Sequence, residues 1–146
     1  MNRAFRIHAV LAATLLAMTV AHSVRADHGN DNQNQQVRLR AKLTGQAIQS
    51  VTPEGSADFR SESSRTRLQV EVERVNLPAG TVLTVSLQSG TNAPVQVGQI
   101  TLSANGSGEL ELDSDHGAVV PAVQNGDVVS ISNAGAAILA GAFGPA

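Results

Sequence analysis

The stretch QITLSANGSGELELDSDHG, residues 99–117, decides the fold. It holds two runs in which apolar and polar residues alternate, separated by Asn105-Gly106. Alternation with a period of two marks a strand with one covered face. Ile100 and Leu102 share a face of the first run, and Leu110 and Leu112 share a face of the second. If the runs pair as a hairpin, their phase sets the loop. A two-residue Asn105-Gly106 turn would put Thr101 opposite Leu110 and turn one pair of leucines to water. A three-residue loop, Ala104-Asn105-Gly106, keeps the apolar sides together, sets Ile100 opposite Leu110 and gives Gly106 the positive φ that such a loop needs. Glu109, Glu111, Asp113 and Asp115 then form a line of carboxylates on the polar side, the densest charge feature of the chain.

The same alternation recurs on either side. Towards the N-terminus, Val37, Leu39, Ala41 and Leu43 oppose Arg38, Arg40 and Lys42, which predicts a strand with a basic outer face. Residues 46–51 extend it or form a short second strand before a turn at Pro53-Glu54-Gly55. Ala57 and Phe59 share a face of residues 56–61. Leu68, Val70 and Val72 share a face of residues 65–72, with a phase slip and a bulge expected at Arg74-Val75. Leu77-Pro78-Ala79-Gly80 is a turn, and residues 81–88 carry Leu83, Val85 and Leu87 inward. Towards the C-terminus, Pro121 interrupts an apolar stretch at 118–123 and suits an edge or crossover segment. Asn125-Gly126-Asp127 turns into a short strand at 128–132, and the apolar 136–143 reads as a buried last strand. The expected fold is all-β, an antiparallel β-sandwich or small barrel of about eight or nine strands in one domain, residues 37–146.

The two ends of the sequence differ from this body. Residues 1–26 read as a cleaved signal peptide: Arg3 and Arg6, then an apolar run at 9–20, then Val24-Arg25-Ala26 before the cut. A cut after Ser23 is the alternative. The apolar run is shorter than the roughly 20 residues that span a bilayer, so a soluble periplasmic or secreted protein with no membrane span is expected. Residues 27–36, DHGNDNQNQQ, have no apolar group to bury and read as a disordered polar leader.

Without the signal, seven basic residues face twelve acidic ones, and every basic residue lies between Arg38 and Arg74. That balance argues against nucleic acid or an anionic membrane surface as partner. The chain has no cysteine, Trp or Tyr, which removes disulfides and thiol chemistry. It also removes the aromatic platforms of carbohydrate sites.

Leu77-Pro78-Ala79-Gly80-Thr81, Val97-Gly98, Gly106-x-Gly108-x-Leu110-x-Leu112, Pro121-x-Val123-x-x-Gly126-Asp127-x-Val129 and Ile138-Leu139-x-Gly141-x-Phe143 resemble a class of small exported bacterial β-domains. Leu43-Thr44-Gly45 followed by Pro53-x-Gly55-x-Ala57-x-Phe59 resembles the CHRD domain, a β-domain first noticed in chordin. The histidine-containing central motif of that family has no counterpart here. Both likenesses rest on turns and core positions, so they imply a fold and carry no catalytic residue.

The candidate site is the acidic stripe and its loop. Hard cations such as Ca²⁺ take several oxygens converging on one point. Alternate positions of a strand run in a line nearly 7 Å apart. Only the loop end converges, so Asp113, Asp115 and His116 are the candidate metal ligands. The competing reading pairs the stripe across the sheet with Arg38, Arg40 and Lys42, or with Arg65 and Arg67. Asp-His-Gly also occurs at 27–29, where His28 beside a new amino terminus offers nitrogen ligands to Cu²⁺ or Ni²⁺. No G-x-S-x-G elbow or triad context is present, and no enzyme activity is expected. The expected function is a non-catalytic exported module with a structural or protein-interaction role, which binds another protein through an edge strand. The apolar, uncharged 136–143 is the candidate edge.

Overall fold

The alternating runs become strands because each has one face of branched or aromatic side chains to bury and one polar face to leave in water. The computed structural model describes residues 36–146. The expected signal peptide, His28 and all of the polar leader except Gln36 lie outside the described residues. Nine strands follow in order: β1 Val37–Thr44, β2 Glu54–Ser61, β3 Thr66–Glu73, β4 Val82–Gln88, β5 Val95–Thr101, β6 Gly108–Asp113, β7 Val128–Asn133, β8 Ala136–Ala142 and β9 Gly144–Pro145. One 3₁₀ turn, Ser114–His116, follows β6. Among the described residues no helix is long and apolar enough to cross a membrane.

All pairings are antiparallel and the strands form one sheet, ordered β5-β4-β7-β8-β1-β2-β3-β6, with the short β9 added to β1. The sheet curls until it is nearly closed, so the small-barrel form of the expected architecture is the one adopted. Leu43, Leu68, Val70, Leu83, Val85, Ile100, Ile131 and Leu139 are almost completely buried inside it. Each such side chain contributes about 1.5–3 kcal/mol relative to exposure.

The expected hairpin between the two runs at 99–117 does not form. β5 pairs with β4, where Leu83 faces Ile100, and β6 pairs with β3, where Val70 faces Leu110 and Leu68 faces Leu112. Each run buries the face that its phase requires, with β3 and β4 as the apolar partners. The three-residue turn Ala104-Asn105-Gly106 does form within the connection, with Gly106 N donating to Ser103 O at 3.1 Å, but no strand ladder continues from it. Ser103 N donates to Ser107 O at 2.9 Å, and Gly106, at φ 73°, takes the left-handed conformation expected of it. β5 and β6 therefore become the two edges of the sheet and meet through side chains. Leu110 occupies the space that a Cβ on Gly98 would need.

A second correction concerns 136–143. Its strand is β8, which pairs along its length with β7 and touches β1 at Thr44 and Ala140, so it is no edge. Phe143 is buried and its backbone is tied to the 125–127 turn, with Gly126 N donating to Phe143 O and Phe143 N to Asp127 O, both at 2.8 Å. Smaller differences follow from turns. Residues 46–51 make only an isolated bridge between Ile48 and Val51 around Gln49 and Ser50, both at positive φ. Glu54 and Gly55 already belong to β2, and the slip at Arg74 is a positive-φ residue just beyond β3 rather than a bulge within it.

Candidate site on the charged outer face

Register decides which charges meet. On the outer face of β1, β2, β3 and β6 it aligns three rows: Arg38, Arg60, Arg67 and Asp113; Arg40, Asp58, Gln69 and Glu111; Lys42, Ser56, Glu71 and Glu109. Residues directly opposite on neighbouring strands have Cβ atoms about 4.5–5.5 Å apart, close enough for ion pairs. Arg40 Nε lies 3.1 Å from Asp58 Oδ1, and Arg67 Nη2 lies 3.1 Å from Glu111 Oε1. Glu71 and Glu109 would repel each other, but Gln69 Nε2 donates to both, at 2.7 and 2.8 Å.

Asp113 departs from the solvated stripe. Its side chain is only 1% exposed although it continues the line of Glu109 and Glu111. The guanidinium of Arg65, just before β3, covers it: Nε donates to Oδ1 at 3.1 Å and to Oδ2 at 3.2 Å, and Nη2 also donates to Oδ2. Asp113 caps the following 3₁₀ turn as well, its Oδ1 accepting from Asp115 N at 3.0 Å. Thr66 N donates to Ser114 Oγ at 2.9 Å and ties that turn to the start of β3. Gly117, at φ 79°, ends it.

These contacts set the local charge. The hydrogen-bonding Arg65 fork holds the Asp113 carboxyl down at about 2, against the upward push of desolvation, with help from the Asp115 amide. Asp113 in turn raises Arg65. Such a pair stays ionised through the whole physiological range.

The structure brings two of the three candidate ligands together. Glu111, Asp113 and His116 each offer a ligand atom within 4.8 Å of the others. His116 Nδ1 lies 3.8 Å from Asp113 Oδ2. Asp115 stands outside this group and points to Arg65, 3.5 Å away. A divalent ion at this point would sit beside a guanidinium already engaged on Asp113, and unlike an acid pair that guanidinium repels it. Of the two cross-strand pairings open to the stripe, Arg65 and Arg67 make the contacts, while Arg40 is held by Asp58.

Two features escaped the sequence reading: the burial of Asp113 and the alignment of Arg38, Arg60 and Arg67. The confinement of all basic residues to the region between Arg38 and Arg74 was the available signal for the second. No protein-family model matches the chain, and no curated protein matches it.

Proposed function

We propose that the protein is an exported, non-catalytic interaction module that binds a partner chain by strand addition at β5. The supporting observation is that β5 has no charged residue and no hydrogen-bonded neighbour on one side; β6 lies against it from Gly98 onward, and its start is open, where Val95, 65% exposed, stands beside solvent-exposed Gln96. Edge strands are ordinarily protected by lysine, proline or a cover, because their free amides and carbonyls template another strand. The export part of the reading rests on the signal-like residues 1–26, and the β-domain resemblance agrees with it.

A photocrosslinker at Gln96, used in the exporting host, should give defined adducts, while the same group at Lys42 on the charged half should not. Light scattering over a concentration series shows whether the partner is a second copy. A monomer at every concentration with no adduct from Gln96 would overturn the reading.

Divalent-cation binding is the second reading, favoured by the proximity of Glu111, Asp113 and His116. Calorimetric titration with Ca²⁺ and Zn²⁺ decides it. Saturable heat that disappears in Asp113→Asn would support the cation reading, and its absence in the parent chain would end it.

A further inference from the structure

Arg38, Arg60 and Arg67 face one another directly on three adjacent strands. Like charges so placed oppose sheet formation unless something neutralises them. The other like-charge neighbours on this face have a donor or counter-ion: Gln69 bridges Glu71 and Glu109, and Arg74 pairs with Glu54, which stands opposite Glu73. Arg38 and Arg60 have no ion pair or side-chain hydrogen bond among the described residues. The acids two residues either side of Arg60 are otherwise engaged, Asp58 by Arg40 and Glu62 by the Gln36 amide. Arg67 is half-served: Nη2 reaches Glu111, but its Nε is buried and donates to nothing. An N–H in that state forfeits a hydrogen bond that water cannot replace.

Beside Arg60 and Arg67 lies a groove of about 210 Å³ whose other walls are Arg40, Ser56, Gln69 and the carboxylates Asp58 and Glu71. Arg38 lines a neighbouring groove of about 230 Å³ that shares Arg40, Asp58 and Arg60 with it. A smaller recess of about 90 Å³ adjoins the first groove between Arg60, Glu62, Arg65 and Arg67. The first groove holds several times the volume of a water molecule, roughly 30 Å³, and so admits an anion of four oxygens. Guanidinium groups present forked donors that match the oxygens of phosphate and sulfate.

We propose that the row Arg38, Arg60 and Arg67 is a binding site for a small tetrahedral oxyanion, phosphate or sulfate, free or as a monoester. The anion accepts from Arg60 and from the exposed part of the Arg67 guanidinium, with Arg38 standing behind Arg60 on the next strand. Asp58 and Glu71 line the groove and Glu62 the recess, so the arginines must outweigh nearby carboxylates, and a long polyanion laid across the face meets more of that repulsion than a single anionic group does. The site is independent of strand addition at β5, and either can fail alone.

The test is thermal unfolding of the full chain at constant ionic strength, with chloride replaced stepwise by inorganic phosphate. A ligand of the folded state alone raises Tm by about 5 °C at ten times its Kd for a domain of this size, and the rise then continues with the logarithm of the phosphate concentration. The rise should vanish in Arg60→Gln and Arg67→Gln, shrink in Arg60→Lys, which keeps the charge without the fork, and persist in Lys42→Gln. In chloride, Arg60→Gln should melt at or above the parent chain, since it removes a repelling charge. Glycerol phosphate run in parallel separates the free ion from the ester. An equal Tm change in phosphate and in chloride, a phosphate response retained by Arg60→Gln, or a lower Tm of Arg60→Gln in chloride would overturn the proposal.

Discussion

Strands β1, β2, β3 and β6 each carry three charged residues, whereas β4, β5, β7 and β8 carry none. One barrel therefore has two outer surfaces built on different chemistry. The charged half is organised by register, which brings arginines and carboxylates into rows, and its outer contacts are ionic. The neutral half shows Ser, Thr, Gln and Ala to solvent and depends on the apolar side chains beneath. It also supplies the uncharged edge, β5, while the opposite edge, β6, carries Glu109 and Glu111. The difference teaches that charge on this protein is not spread for solubility alone, since it is withheld from half of the sheet.

The contrast can be broken most forcefully from inside the neutral half. Ile131 on β7 is fully buried and faces both Val85 and Leu139, so Ile131→Ala should cost about 2–5 kcal/mol in urea unfolding. In the charged half the strongest test is acid. The Asp113 carboxyl is held at about 2 when folded, below its ordinary 3.8. Its stabilising contribution is thus complete above 3.8 and is lost as pH falls towards 2. Asp113→Asn should lower stability at neutral pH and flatten the loss over that acid window in pH-dependent melts. Arg40→Ala, which breaks an exposed pair with Asp58, should cost less than about 1 kcal/mol, and the cost should shrink further in high salt. Smallest of all, Val95→Lys should change stability by no more than about 0.5 kcal/mol while abolishing any adduct formed from Gln96. A large destabilisation by Val95→Lys would mean that the β5 edge belongs to the core rather than to the surface.

Much of the barrel could be read from alternation. Leu39, Ala41 and Leu43, then Leu68, Val70 and Val72, then Leu83, Val85 and Leu87 all point inward as their spacing requires. The neighbours of each strand could not be read. Leu110 and Leu112 fit against Val70 and Leu68 as well as against Ile100, because period two specifies a face and not a partner. The edge was misplaced for the same reason: nothing local tells 136–143 that β1 and β7 flank it. At the site, Asp113 looks like Glu111 in sequence, and only Arg65, 48 positions away, distinguishes them. The arginine row needs the register of three strands at once, which no single stretch contains.

The loop at 102–107 joins two strands that are neighbours in sequence and yet stand at opposite ends of the ladder. Around the barrel, backbone pairing links one strand to the next everywhere except between β5 and β6, although β8 meets β1 at only one pair, Thr44 and Ala140. There the ring is completed by the covalent chain itself. Cutting the backbone within 102–107 would open the ring without removing a ladder bond, whereas a cut in the turn between β7 and β8 would leave the ring intact. The segment that joins the two alternating runs thus acts as a clasp.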